Sequence, residues 1–135
     1  MVEPMRGVVL PILFALAGPA FSQTPLTAEE FDAYTRGKTL TYADQGEVFG
    51  IEEYLENRRV RWSYNDGECQ DGTWFENGPL ICFVYDGIGV PQCWTFTLGP
   101  NGLEAQFEND PDDRPIYETA QSEEPLLCLG PPVGV

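Results

Sequence analysis

The stretch that decides the fold is DGTWFENGPLICFVYDGIGVPQCWTF, residues 71–96, in which two cysteines and three turn signals sit among closely spaced aromatics. A loop over residues 76–79 sets Trp74 opposite Ile81. A second loop, over residues 86–89, sets Tyr85 against Val90, so that Phe83 meets Gln92, Cys82 meets Cys93 and Ile81 meets Trp94. Side chains alternate across a strand, so both hairpins put Trp74, Ile81, Phe83, Tyr85, Trp94 and Phe96 on one face. A turn at Asn101 and Gly102 adds Leu103, Ala105 and Phe107 to it. A face so fully apolar must be covered, as it is when a sheet closes or folds over on itself.

The same register orders the cysteines. Counting outward from a hydrogen-bonded pair at Tyr85 and Val90, Cys82 and Cys93 fall on a non-hydrogen-bonded pair, where the two strands approach most closely. A Cys82–Cys93 bridge on the outer face is therefore expected, and Pro91 occupies a site where a missing N–H costs little. By elimination Cys69 pairs with Cys128, although spacing alone permits the other pairings. Setting Trp62 opposite Trp74 leaves NDGECQD, residues 65–71, as a loop carrying Cys69 outward, where the tail EEPLLCLGPP can reach it. On the loop-entropy model the two bridges contribute about 3 and about 4 kcal/mol. The chain has four cysteines in all, no closely spaced pair and no histidine, which points to disulfides in an oxidising compartment and away from a zinc site.

Working outward, LTAEEFDAYTRGK (residues 26–38) begins with Thr27 and Glu30 in capping-box spacing and with Leu26 placed to close on Phe31 as a hydrophobic staple. Gly37 supplies the left-handed stop. One short helix over about residues 28–36 is predicted, with Phe31 and Tyr34 on its inner face. Strands follow at KTLTYA, at the less regular VFGIEEYL, and at RRVRWSY, where Val60, Trp62 and Tyr64 alternate with Arg59, Arg61 and Ser63. Further strands are expected near residues 72–75, 80–85, 92–98, 103–107 and 115–120. Eight short strands with tight turns describe an all-β antiparallel meander closing into a small barrel, with one N-terminal helix.

The first 22 residues have the layout of a secretory signal peptide: Arg6, an apolar run from Val8 to Ala17, then small residues ending in Ala20-Phe21-Ser22. Cleavage before Gln23 leaves residues 23–135 as a single disulfide-bonded domain, periplasmic or secreted. Its formal net charge of −15 opposes binding to nucleic acid or to an anionic membrane surface.

Candidate chemistry is sparse. The inward rings of Trp62, Tyr64, Trp74, Phe83, Tyr85, Trp94 and Phe96 could line a ligand cavity, since an eight-strand barrel encloses packed side chains or one small ligand. Glu108, Asp110, Asp112 and Asp113 in FENDPDDRP are oxygen donors of the kind calcium uses, but they follow no fixed ligand spacing and read as a solvated loop. Arg59 and Arg61 project outward, where the abundant carboxylates are their expected partners. With no histidine, a single lysine (Lys38) and every cysteine bridged, no catalytic residue, metal or cofactor is assigned. Carboxylate pairs such as Glu52 with Glu53 are plentiful, but abundance is not arrangement.

The segments GKTLTY, RRVRW, GTW, ICFVY and QCWTF, with Gly72, Trp74, Cys82 and Cys93 at their key positions, resemble small uncharacterised exported proteins of alphaproteobacteria. More distantly the layout is similar to lipocalin-type barrels, although the Gly-x-Trp of lipocalins opens their first strand and here lies mid-chain. The expectation is a non-enzymatic binding protein for a small apolar or amphipathic ligand. The rival is an acidic interaction module with a basic protein partner, such as an inhibitor of an extracellular hydrolase.

Overall fold

A computed structural model describes residues 2–15 and 24–129. Residues 2–15 are exposed and form no helix or strand; the expected cleavage site before Gln23 lies outside the described residues. Helix α1 (Ala28–Thr35) starts on the capping box read from the sequence, with Thr27 Oγ1 accepting from Glu30 N and Glu30 Oε1 accepting from Thr27 N.

Eight antiparallel strands follow: β1 (Thr39–Asp44), β2 (Glu47–Tyr54), β3 (Arg59–Ser63), β4 (Gln70–Asn77), β5 (Leu80–Tyr85), β6 (Gln92–Gly99), β7 (Gly102–Phe107) and β8 (Ile116–Ser122). Each pairs with its neighbour in sequence, and β8 returns to β1, so the sheet closes into a barrel. Closure removes the edge strands on which sheets otherwise pair with one another.

The β5–β6 register is the one read from the sequence for Ile81 with Trp94, Cys82 with Cys93 and Phe83 with Gln92, but the ladder ends there: β6 starts at Gln92, the loop spans residues 86–91 and the expected Tyr85–Val90 pair does not form. Both disulfides form as expected, Cys82–Cys93 and Cys69–Cys128. The Cα atoms of Cys82 and Cys93 lie 4.0 Å apart, the close approach of a non-hydrogen-bonded pair. Two disulfides fit a protein that works in a non-reducing environment.

Other registers differ from expectation. The β4–β5 turn uses two residues, Gly78 and Pro79, so Trp74 pairs with Phe83 instead of Ile81. Gly78 accepts a φ of +60°, which allows the tighter turn, and the slip is two residues, so every side chain keeps its face. The β6–β7 turn likewise lies at Pro100 and Asn101, with Gly99 paired to Gly102.

The larger correction concerns β3 and β4. Trp62 pairs with Gln70, not with Trp74, because β4 starts at Gln70 and the preceding loop is shorter than expected. Trp74 consequently slides past the start of β3 toward one end of the barrel.

That end is closed. Phe31 of α1 is fully buried and meets the rings of Tyr54, Trp74 and Phe96 at 5.6, 5.2 and 4.5 Å between centroids. Leu26 N donates to Phe96 O and Gly37 N to Tyr54 O, which ties both flanks of the helix to the barrel wall. The guanidinium of Arg58 covers Trp74 from outside at 4.5 Å. The opposite end, bounded by residues 45–46, 64–69, 86–91 and 108–115, has no helix across it among the described residues.

Candidate functional site

Half of the barrel is plugged by apolar side chains and half is a cup. Phe31, Leu40, Trp74 and Leu103 fill the helix end, all buried. Toward the open end lies a chamber of about 40 Å³ whose lining includes Tyr42, Glu52, Tyr54, Trp62, Tyr85 and Ile116. Above it a basin of about 580 Å³ spreads between Phe49, Tyr64, Ile88, Val90, Trp94 and Phe107. Phe49, Tyr64, Gln92, Trp94 and Ile116 border both, so the two spaces form one funnel.

The aromatic throat is built by strand geometry. Trp62 points inward from β3 and packs on Phe49 at 5.8 Å and edge-on to Tyr64 at 5.4 Å. Its indole occupies the space that a Cβ at Gly50 would take, so glycine is required opposite it. Phe49 reaches the mouth because β2 carries a bulge: Tyr42 pairs with Gly50 and Ala43 with Val48, leaving Phe49 as the extra residue. Trp94 faces the throat from β6 and packs on Phe107 at 4.9 Å.

At the bottom lies a carboxylate. Glu52 projects inward from β2 between Gly50 and Tyr54 and is only 2% exposed. Its Oε1 accepts a 2.9 Å hydrogen bond from Tyr85 Oη; its Oε2 is buried with no hydrogen-bond partner among the described residues. Burial raises its pKa well above the usual carboxylate range, the Tyr85 hydrogen bond acting weakly in the other direction. Tyr42 and Tyr54 share a 2.8 Å hydroxyl hydrogen bond beside it. Burial also raises the pKa values of Tyr42, Tyr54 and Tyr85, so these groups present neutral hydroxyls.

A second inward carboxylate, Glu118 on β8, contrasts with Glu52. It accepts from Tyr34 Oη at 2.7 Å, Leu103 N at 2.7 Å and Gln121 Nε2 at 2.9 Å. Partial burial and the Glu118 carboxylate push the Tyr34 pKa up to about 12. Glu118 is thus a structural knot, whereas Glu52 keeps one acceptor free.

Of the residues expected to line a cavity, Trp62, Tyr64, Phe83, Tyr85, Trp94 and Phe96 do so. Tyr64 lies just beyond β3 and is 55% exposed, a rim residue instead of a strand residue. Trp74 does not line it, because the β3–β4 register carries it to the plugged end. Arg61 pairs with Asp71 at 2.8 Å, and Arg59 is exposed. In the acidic loop Asp110 Oδ1 accepts from Asp112 N and Glu108 Oε1 from Thr95 Oγ1. No group of three or more metal-binding side chains comes together among the described residues.

Sequence reasoning left Tyr42, Tyr54 and Phe49 out of the cavity and named Glu52 only as one of a carboxylate pair with Glu53. The alternation Gly50, Glu52, Tyr54 was present, but the bulge at Phe49 makes VFGIEEYL look irregular and conceals which face is inward. Comparison with family models, curated proteins and solved structures finds no match to this chain.

Proposed function

We propose that this is an exported, non-enzymatic, lipocalin-like binding protein that takes a small apolar or amphipathic molecule into the open half of its barrel. The observation that carries the reading is the funnel: a basin of about 580 Å³ edged by rings and aliphatic side chains narrows onto a chamber with a polar floor. Binding sites for small molecules have this character, concave and mostly apolar with a few convergent polar groups. The plugged end makes the funnel one-sided, so a ligand enters and leaves by the mouth. Export is supported by the N-terminal pattern of residues 1–22 and by the two disulfides.

Titration with a neutral solvatochromic dye tests this reading. Saturable blue-shifted emission that is weakened in Trp94→Ala and preserved in Phe75→Ala, on the outer wall, is the expected result. Equal dye response in both variants, or none in the native protein, would remove it.

A second reading, docking of a basic protein on the mouth, is favoured by one observation. The loop over residues 108–115 carries Glu108, Asp110, Asp112 and Asp113 against a single Arg114, which is itself held by Asp44 at 2.9 Å. Such docking would weaken steeply with salt, whereas capture of an uncharged dye inside the funnel would not.

A further inference from the structure

Resting on the funnel as a ligand site, we infer that its ligand carries a protonated amine, received by the free oxygen of Glu52 at the floor while its apolar body lies in the outer basin. Three independent features converge on a cation. Glu52 is a buried acceptor whose Oε2 has no hydrogen-bond partner among the described residues, in a chamber with room for little more than an ammonium head and a methylene or two. A buried oxygen left unpaired is costly, and an N⁺–H donor satisfies it with a charge-assisted hydrogen bond.

The path to that floor passes the faces and edges of Phe49, Trp62, Tyr64 and Trp94, rings that attract cations and tolerate apolar stems. The entrance is anionic. Asp44 and Asp113 border the outer basin with one cation, Arg114, which Asp44 holds through Oδ2 while its Oδ1 lacks a hydrogen-bond partner; the nearby loop adds Glu108, Asp110 and Asp112, so the balance stays negative. A field of that sign concentrates cations at the mouth and repels fatty-acid and phosphate anions.

The groups facing Glu52 are the hydroxyls of Tyr42 on β1, Tyr54 on β2 and Tyr85 on β5, together with the uncharged indole of Trp62 on β3; Glu118 on β8 is the other inward carboxylate. None of these brings positive charge. Burial favours the protonated form of Glu52 in the empty protein. When an ammonium arrives, a proton on Glu52 leaves for the buffer and the N⁺–H···O⁻ pair takes its place, so binding releases protons below the pH at which Glu52 ionises without ligand. Affinity accordingly rises with pH until Glu52 is ionised without ligand.

The test uses three probes of equal chain length: n-octylamine, octanol and octanoate. Calorimetric titration of the full mature protein near neutral pH, in two buffers of different ionisation enthalpy, reads affinity and proton release together. The expected order is amine tightest, octanol weaker and octanoate weakest, with a proton release on amine binding that falls away as pH rises. In Glu52→Gln the amine loses about thirty-fold, equivalent to about 2 kcal/mol, the proton release vanishes and octanol is unchanged. The variant is isosteric and removes a buried acid, so folding is not at risk.

Equal affinity for octylamine and octanol, indifferent to Glu52→Gln, would overturn the amine assignment and leave the funnel reading intact, as would a preference for octanoate. No binding of any octyl probe would overturn both.

Discussion

Replacing Glu52 with Gln is expected to make the protein more stable at neutral pH, and the pH dependence of that gain follows from the structure. Glu52 is buried, with one oxygen on Tyr85 and the other unpaired, so the native state favours the protonated acid over its ordinary value near 4.5. At pH below about 4 both folded and unfolded chains hold the proton and Glu52 contributes no pH dependence. Above that, the unfolded chain releases it while the folded one keeps it. The unfolded state then binds fewer protons, so stability falls as pH rises, by about 1.4 kcal/mol per pH unit for one proton.

The fall ends where the native carboxyl itself ionises. Glutamine has no proton to lose, and the other titrating groups are common to both proteins, so the difference between the two curves isolates Glu52. Urea unfolding of native protein and Glu52→Gln at half-unit steps from pH 4 to pH 8 measures it. A difference that grows in favour of the variant above about pH 4.5, with a slope of at most about 1.4 kcal/mol per unit, and that levels off where the native carboxyl ionises is expected. Parallel curves across the range would refute the buried neutral acid.

Four further variants test the frame around the site. Removing the Cys69–Cys128 bridge by paired Cys→Ser changes should cost about 4 kcal/mol and removing Cys82–Cys93 about 3, since they close loops of 59 and 11 residues; urea midpoints of the two variants check the order. Gly50→Ala places a methyl inside the Trp62 indole and should cost about 1–3 kcal/mol while red-shifting tryptophan emission as the ring is pushed toward solvent. Glu118→Ala strips the buried Leu103 N–H and the Tyr34 hydroxyl of their acceptor and should cost about 1–3 kcal/mol by urea unfolding, without altering dye binding at the far end.

The strands, the closure and both disulfides were legible because they rest on period-two alternation and on one hairpin, residues 80–96, whose register two cysteines and a proline fix together. Registers set by turns were less so. Whether Gly78 and Pro79 alone turn the chain depends on backbone angles that residue types permit without dictating, yet a two-residue slip left every face unchanged.

The β3–β4 pairing is a long-loop register with no local anchor. Its misreading moved Trp74 from the cup to the plug and hid the role of Phe31 as its neighbour. The inward placement of Glu52 was hidden for a different reason. A carboxylate among 22 acidic residues carries no mark of burial, and only the bulge at Phe49 settles that Gly50, Glu52 and Tyr54 face inward.

The most direct measurement uses the three tryptophans as built-in reporters: Trp62 and Trp94 stand in the throat, Trp74 in the plug. In a proton–nitrogen NMR titration of residues 23–135 with n-octylamine, the indole N–H resonances of Trp62 and Trp94 should move together and saturate while that of Trp74 stays in place. Movement of Trp74 alone, or three indole signals unaltered at saturating amine, would contradict a ligand site in the open half of the barrel.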